Sequence, residues 1–189
     1  MGQLNRDEIA QMGFASVGQN VTLSDRASFY NCARISIANH VRIDDYCVLA
    51  AGAGGITLGN YVHIAVGCVL VGAGKITMSD FSGLSSRVSI YSSSDDYSGT
   101  ALTNPTVPEE FTNVFSADVL LGRHVIVGSG SVVLPGITIG AGAAVGALSL
   151  VTKDCSDFGI YTGNPARRLK GRKRDLLEME RLLLGQGNT

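Results

Sequence analysis

The chain has 189 residues, 45% of them hydrophobic, and a formal net charge of −1 at pH 7, so it can bury a substantial core as one domain. Charge this close to zero gives no reason to expect nucleic acid as a partner or insertion into a membrane. No apolar run reaches the length of a membrane span, and the first residues, MGQLNRDEIAQ, lack the apolar segment of a signal peptide. We therefore expect a cytoplasmic protein.

A short helix is predicted between Leu4 and Gly13. Asn5 is suited to cap its N-terminus, and Glu8, three residues later, completes the pattern of a capping box. We expect residues 1–16 to cover the bottom of the following repeat, because an uncovered end would present unpaired strand edges.

From Val17 onward apolar residues recur every six positions. Leu121 to Ser156 divides into six hexads, LGRHVI, VGSGSV, VLPGIT, IGAGAA, VGALSL and VTKDCS, each beginning with an aliphatic residue. The same phase extends back to Val17 if every third step is eight or nine residues instead of six. This period indicates a stacked repeat, because it is too long for a helical face and too regular for alternating strands. Three hexads per turn predict a triangular prism of about six coils, about 29 Å tall.

The fifth position of each hexad is small or β-branched and never charged, so we expect it to fill the narrow interior beside the aliphatic first position. Cys47, Cys68 and Cys155 occupy this column, and the four cysteines contain no CxxC pair. We interpret them as core residues and not as metal ligands or disulfides.

Residues 91–120 interrupt the repeat. Their sequence, YSSSDDYSGTALTNPTVPEEFTNVFSADVL, has no hexad phase, and the repeat resumes in register at Leu121. Long loops in compact domains usually carry function, so we expect the chemistry here. The single domain, 1–189, then comprises a cap (1–16), a β-helix (17–90 and 121–156), an active-site loop (91–120) and a C-terminal segment (157–189).

The C-terminal segment begins with a turn containing GNPA and a basic stretch from Arg167 to Arg174. A helix is predicted from about Arg172 to Leu184, with one apolar face that packs on the prism or on a neighbouring subunit.

The hexads, the segment VGSGSVVLPGITIGAGAAVGALSLVTKD and the exit GNPARRLK together resemble the hexapeptide-repeat acyltransferases. The resemblance implies an all-β fold, a left-handed parallel β-helix assembled as a homotrimer with active sites between subunits. It also implies acetyl-CoA or another acyl-CoA as co-substrate and no metal. The left hand rests on the resemblance alone, since parallel crossovers are generally right-handed.

The resemblance further implies a path for acyl-CoA. The matching positions are Gly128 and Ser129 at the thioester, Gly146 and Ala147 along the pantetheine arm, and Thr152, Lys153, Arg167 and Lys170 at the phosphates. The Ser129 amide would be the oxyanion donor, and the basic residues suit the anionic end of CoA. The alternative for Arg172 to Arg174 is a solvated run of charge.

One departure from the family concerns the acceptor. Many sugar O-acetyltransferases of this type carry a loop reading Ile-Tyr-Thr-Ala-x-His, in which His is the general base, whereas Asp95 fills that position here. A carboxylate with an ordinary pKa near 4 is a poor base for a sugar hydroxyl. A free amine titrates near pH 8 and is partly unprotonated at neutral pH, so the enzyme need only hold it and accept a proton. The missing histidine therefore favours N-acylation.

The segments VSIYSSSDDYSG and TNPTVPEEF also resemble N-acyltransferases that modify nucleotide-linked amino-dideoxy sugars for surface polysaccharide, including lipopolysaccharide O-antigen. Asp95 is then the base or the anchor of the amine. Asp96 and Glu109 are secondary candidates, with turn capping as the alternative. Ser85 and Arg87 are candidates for contact with the sugar or its phosphates.

Three alternatives remain open. The first is a sugar O-acetyltransferase of the same fold that uses Asp95 with a helper, or His63 from another subunit. The second is a γ-class carbonic anhydrase, which would need His40, His63 and His124 to bind zinc together. The third is a non-catalytic hexapeptide scaffold, which would have no use for an acidic loop.

Overall fold

The computed structural model describes residues 2–185 as a β-solenoid with a short helix at each end. Helix α1 is Arg6–Gln11, and helix α2 is Leu176–Gly185. None of the helices within residues 2–185 is long and apolar enough to cross a membrane.

The strands are short, as expected when each hexad forms one side of a prism. In chain order the first twelve are β1 (Ser16–Val17), β2 (Thr22–Leu23), β3 (Ser28–Tyr30), β4 (Ile35–Ile37), β5 (Arg42–Ile43), β6 (Val48–Ala51), β7 (Ile56–Leu58), β8 (His63–Ile64), β9 (Val69–Gly72), β10 (Ile76–Met78), β11 (Gly83–Leu84) and β12 (Ser89–Tyr91). The others are β13 (Ser93–Ser94), β14 (Phe115–Ser116), β15 (Val119–Leu121), β16 (Ile126–Val127), β17 (Val132–Val133), β18 (Thr138–Ile139), β19 (Ala144–Val145), β20 (Leu150–Val151), β21 (Gly159–Thr162) and β22 (Arg167–Gly171).

Three sheets form the sides of the prism. The first has the order β1-β4-β7-β10-β15-β18, the second β2-β5-β8-β11-β16-β19-β21-β22, and the third β20-β17-β12-β9-β6-β3. All neighbouring pairs are parallel except β21 with β22. The predicted repeat is confirmed, because first positions of equivalent hexads in successive coils lie in register, for example Ile37 with Leu58 and Leu121 with Ile139. Strand β21 adds a seventh turn on the second side.

The interior consists of the first and fifth columns of the hexads. Residues of both columns are buried, such as Ile43 and Leu70 in the first and Val62 and Val88 in the fifth. Cys47, Cys68 and Cys155 are buried free thiols, and burial followed by repulsion from Asp154 raises the pKa of Cys155 to about 11. The core interpretation is therefore confirmed for these three cysteines.

The prediction that the fifth position is buried is wrong at the third corner of the early coils. Ala33 and Ala53 are exposed there instead of filling the core. The extra residues that separate these trios widen the corner, so the alanines lie on the turn itself. The prediction holds where the step is six and is wrong at these corners.

The predicted N-terminal helix and its capping box are confirmed. The Asn5 side chain accepts hydrogen bonds from the Asp7 and Glu8 amides, and the Glu8 carboxylate accepts one from the Asn5 amide. Ile9 is buried against the first coil, and the Leu4 amide donates to Leu23 O. The helix thereby covers the lower end of the core.

The loop of residues 91–120 leaves the prism after β12 and returns at β15. Its stem is the antiparallel pair β13 with β14, which is fastened by a hydrogen bond from the Ala117 amide to Ser92 O. Val119 then pairs with Ile76, one coil below. The repeat therefore resumes without a shift, as the sequence predicts.

The C-terminal segment differs from its prediction. Residues 167–171 form β22, antiparallel to β21, and α2 begins only at Leu176. Arg172, predicted as the helix start, instead donates from one guanidinium nitrogen to His124 O at 2.9 Å and to Gly142 O at 3.0 Å. The Arg172 amide also donates to Phe158 O at 2.7 Å, so its backbone still belongs to the hairpin and the helix starts later.

Candidate functional site

A row of outward-facing amides follows one edge of the prism, between the second and third sides. In each coil the corner residue donates to the coil below, as the Leu148 amide does to Ser129 O at 2.9 Å. The acceptor on the lower coil is the residue just before the corner residue of that coil, as Ser129 is before Gly130. The N–H of the residue that precedes each corner residue has no acceptor among residues 2–185. The amides in this row belong to Asp45, Val66, Ser86, Ser129 and Ala147. Such unpaired donors suit carbonyl oxygens of an extended ligand.

Two predicted acyl-CoA residues, Ser129 and Ala147, are consecutive in this row. Gly128 and Gly146 precede them and permit close stacking of the coils: a β-carbon at Gly128 would lie 2.4 Å from Ala147 N, and one at Gly146 would lie 2.9 Å from Thr162 Oγ1. The amide row therefore runs from Ser129 towards the top of the prism.

The four predicted phosphate-binding residues lie at the top of the prism. Thr152 and Lys153 follow β20, and Arg167 and Lys170 lie on β22. The side chains of the three basic residues are exposed. The Leu150 amide donates to Gly163 O, and the Ala166 amide donates to Leu150 O, so the hairpin turn is held against β20. The architecture thus brings both pairs to the end of the prism at which the amide row finishes.

A cleft of about 590 Å³ lies on the second side of the prism. Its lining includes Ser85 and Ser129 together with His63, Gly83 and Ile126. Leu176, the first residue of α2, lines one side of the cleft. The cleft brings the predicted substrate residue Ser85 and the predicted oxyanion donor Ser129 together.

His63 is held by an ion-pair network in this cleft. Its Nε2 lies 2.9 Å from Asp44 Oδ2, and Arg42 Nε donates to Asp44 Oδ1 at 2.7 Å. Burial raises the pKa of Asp44, but the hydrogen bonds from His63 and Arg42 outweigh burial and hold the pKa below its ordinary value. The arrangement orients the imidazole toward the cleft wall.

The predicted acidic residues lie elsewhere in the protomer. Asp95 and Glu109 line a second cavity, of about 720 Å³, between the loop and β9. Asp95 also borders a smaller cavity with Tyr97 and Leu134. Neither cavity shares a residue with the cleft of Ser85 and Ser129. Within one protomer, the loop acids are therefore separate from the predicted acyl site.

Asp96 caps a turn, which is the alternative role given for it in the sequence analysis. Its carboxylate accepts hydrogen bonds from the Ser98, Thr100 and Ala101 amides and from Thr100 Oγ1, at 2.6–3.2 Å. Hydrogen bonds from Ser98 and Thr100 hold the pKa of Asp96 far below its usual range. The geometry favours a turn cap over a catalytic group at this position.

Arg87 occupies a corner with a left-handed backbone, φ 60°, and is exposed. Its amide donates to Val66 O, and it does not line the cleft. The structure therefore leaves Arg87 on the prism edge, beside the amide row and not next to Ser85 in the cleft.

A stacked column of rings was missed by the sequence analysis. The aromatic column consists of His40, Tyr61, Phe81 and His124, with ring centroids 4.6–5.1 Å apart. These residues share the fourth position of equivalent hexads in successive coils, so the same phase that revealed the core could have found them. His40 and His124 are separated by two rings in this column, and among residues 2–185 of one protomer no three His, Cys, Asp or Glu side chains are grouped so as to hold a metal ion.

The column ends under α2. Glu180 contacts both His124 Nε2 and the guanidinium of Arg123, which also donates to Asp80 Oδ2 at 2.8 Å. Arg174 lies over the Phe158 ring at 4.3 Å. Together with the contacts of Arg172 to backbone carbonyls, this shows that part of the basic stretch fastens the C-terminal segment and is not a solvated run of charge.

Comparison with known proteins agrees with this architecture. No protein-family model matches the chain. A dTDP-4-amino-4,6-dideoxy-D-glucose acyltransferase of Escherichia coli is 52% identical over 180 residues, which are 95% of this chain and 94% of that protein. The crystal structure of AntD, an N-acyltransferase from Bacillus cereus, in complex with dTDP and 3-hydroxybutyryl-CoA, is 44% identical, covers both chains fully and superimposes with a TM-score of 0.96.

A serine-to-cysteine variant of AntD has been solved with dTDP-4-amino-4,6-dideoxyglucose and coenzyme A; it is 43% identical over 98% of each chain, with a TM-score of 0.94. The fold and the site thus define an acyl-CoA-dependent acyltransferase built on a β-solenoid. The chain belongs to the hexapeptide-repeat acyltransferases, among the N-acyltransferases of nucleotide-linked amino-dideoxy sugars.

Proposed function

We propose that this enzyme transfers an acyl group from acyl-CoA to the 4-amino group of dTDP-4-amino-4,6-dideoxyglucose. The observation that carries the proposal is Asp95, an exposed carboxylate at the rim of two loop cavities, at the position where the related O-acetyltransferases have a histidine. The E. coli relative and AntD support the choice of sugar, since both are described with it.

The reaction follows from the assigned groups. Asp95 attracts the ammonium form of the sugar, which releases one proton to solvent, and the carboxylate then holds the neutral amine against the thioester. The amine nitrogen attacks the thioester carbonyl carbon, and the Ser129 amide stabilises the oxyanion of the tetrahedral intermediate. The nitrogen loses a proton to the Asp95 carboxylate, the C–S bond breaks, and the amide and CoA are released with the thiolate taking up a proton.

The site is proposed to form between subunits of a homotrimer. Asp95 and the cleft of Ser85 and Ser129 are separate in one protomer, so a complete site needs the loop of one subunit beside the cleft of another. We further propose that the enzyme acts in the cytoplasm, where acyl-CoA is made, and that its product enters surface polysaccharide such as lipopolysaccharide O-antigen.

The test measures release of CoA thiol from acetyl-CoA and from 3-hydroxybutyryl-CoA. We expect turnover with dTDP-4-amino-4,6-dideoxyglucose and none with its 4-hydroxy counterpart. Asp95→Asn should lower kcat by about 10²- to 10⁴-fold, the usual contribution of a general base. Equal turnover of the hydroxyl sugar would contradict the argument from the missing histidine.

The His63–Asp44 pair favours one second candidate, sugar O-acylation, because a carboxylate-oriented imidazole is a suitable base for a hydroxyl. This alternative predicts turnover of a hydroxyl acceptor and its loss in His63→Ala. Under N-acylation with Asp95 as the base, His63→Ala should retain most of its activity on the amine.

A further inference from the structure

Gly83 forms the floor of the cleft on the second side of the prism. In the parallel sheet it pairs with His63 on the coil below and Ile126 on the coil above. The positions in this outward column are Thr22, Arg42, His63, Gly83, Ile126 and Ala144. A side chain is absent in the middle of the row, and this absence opens the cleft between His63 and Ile126.

Neither the backbone nor the packing requires glycine at this position. The backbone of Gly83 is not left-handed. A β-carbon built there would meet Ile126 Cδ1 at 3.5 Å and His63 O at 3.6 Å, which are ordinary contacts. Glycine inside a strand usually marks a close approach by another group. The empty space beside Gly83 is therefore not a consequence of backbone conformation or of packing.

The space adjoins the predicted reaction centre. Gly83 and Ser129 line the same cleft, and the Ser129 amide has no acceptor among residues 2–185. With the acyl carbonyl oxygen on this amide, the acyl tail must leave the reacting carbon in a direction away from the pantetheine arm. Ile126 and Leu176 provide apolar walls for it, and Ser85 and Ser86 provide hydroxyl groups.

We propose that the cleft above Gly83 receives the acyl tail of the donor and that Gly83 sets the length of tail accepted. The inference rests on the proposed function. Adjacent strands lie about 4.8 Å apart, so the backbones of His63 and Ile126 are about 10 Å apart. Because Gly83 lies between them and has no side chain, the outer face of the sheet is open over this width. His63 and Ile126 occupy part of that width, since Ile126 Cδ1 lies 3.5 Å from the β-carbon position of Gly83, and we expect the rest to admit a four-carbon acyl group, plain or hydroxylated, as well as acetyl.

The experiment compares acetyl-, butyryl- and 3-hydroxybutyryl-CoA as donors for wild type, Gly83→Ala and Gly83→Val, with dTDP-4-amino-4,6-dideoxyglucose as acceptor. Wild type should use the four-carbon donors with kcat/KM within about tenfold of acetyl-CoA. Gly83→Ala should lower kcat/KM for four-carbon donors about tenfold and Gly83→Val about 100-fold, while acetyl-CoA changes less than about threefold. Ala144→Val, which adds bulk to the same column outside the cleft, is the matched control and should leave the donor preference unchanged.

A loss that is equal for all three donors in Gly83→Val, or none for the four-carbon donors, would overturn the proposal. Calorimetric titration of butyryl-CoA and free CoA tests whether the cleft binds the acyl tail, and it needs no acceptor sugar. Wild type should bind butyryl-CoA more tightly than CoA, and Gly83→Val should lose that difference. If the difference is lost as expected but no amino sugar is acylated, the acyl cleft stands and the proposed acceptor is wrong.

Discussion

Asp95 and Asp96 are neighbours in the chain, but their carboxylates have different surroundings. Asp96 accepts four hydrogen bonds from the turn of residues 98–101, whereas Asp95 faces the open cavities beside the loop. A carboxylate already saturated with hydrogen bonds is a weak proton acceptor, since those bonds stabilise its charged form. Asp95 is therefore the member of the pair that is available for the amine.

Replacement of Asp96 tests this division of roles. Asp96→Ala removes the acceptor for the turn and should raise KM for the nucleotide sugar severalfold, with kcat changed less than about threefold. Asp95→Asn should instead lower kcat. Steady-state kinetics with varied sugar at saturating acyl-CoA separates the two, and a kcat loss in Asp96→Ala as large as that in Asp95→Asn would contradict the cap assignment.

The depressed pKa of Asp96 also has a consequence for pH. Because its folded pKa lies below the unfolded value near 3.9, its stabilisation of the turn is complete above that unfolded value and is lost only as pH falls through the folded one. Between pH 6 and 9 Asp96 should contribute no titration. The pH dependence of kcat/KM over this range should have the same shape in wild type and Asp96→Ala.

At the scale of single elements, the repeat contains glycines of two kinds. A β-carbon at Gly52 would lie 2.5 Å from Gly72 O, whereas one at Gly83 meets nothing closer than 3.5 Å. Gly52→Ala should therefore destabilise the enzyme and lower Tm in thermal unfolding. Gly83→Ala should leave stability unchanged or raise it by about 0.5–1 kcal/mol, because alanine restricts the unfolded chain more than glycine does. A lower Tm for Gly83→Ala would show a packing role for Gly83.

Glu180 ties helix α2 to the prism. Its side chain is 13% exposed and contacts Arg123 and His124, while Glu178 on the same helix is 51% exposed and pairs with Arg181. Glu180→Gln should cost about 1.5–3 kcal/mol of docking, the range for hydrogen bonds to charged groups. Glu178→Gln, the matched control, should leave the docking of α2 close to wild type, because an exposed ion pair contributes little.

Hydrogen exchange at the amides of residues 176–185 measures directly how firmly α2 is docked. Exchange in Glu180→Gln should accelerate over the whole helix, and exchange in Glu178→Gln should stay close to wild type. Equal protection in both variants would show that the apolar side chains, and not Glu180, hold α2 in place.

At the scale of the whole molecule, the predicted site is divided into two halves. Asp95 belongs to the loop half, and Ser85 and Ser129 belong to the cleft half. If the halves meet only between subunits, Asp95→Asn and a cleft-filling Ser85→Phe should complement each other in mixed oligomers. Equal random mixing should restore about a quarter of the wild-type sites, since each site needs one intact half from each of two subunits.

The measurement is CoA release after the two inactive variants are unfolded and refolded together, compared with each refolded alone. Recovery near a quarter of wild type supports a shared site. No recovery, with oligomers confirmed by sedimentation, would place the whole site within one subunit.

Much of this architecture could be predicted from residue spacing. The hexad phase located the coils and the buried columns, because a prism three hexads around repeats its interior environment every six residues. The corners with Ala33 and Ala53 were misjudged, since an insertion changes which residue faces inward. The segment after Arg167 was also misjudged, because its basic residues bond to distant carbonyls and rings that local propensity does not contain.

By itself the sequence determined the solenoid, the capped helix at the lower end and the extruded loop, which depend on local period, and it singled out Asp95 as a candidate from one position in a motif. Only the tertiary structure decided which polar residues share a surface. It assigned Asp96 to the turn, joined Ser85 and Ser129 in one cleft above Gly83, and stacked His40 and His124 within one column. The physical reason is that stacking brings together residues about twenty or more positions apart, and side-chain contacts across coils are not encoded in the period of any one coil.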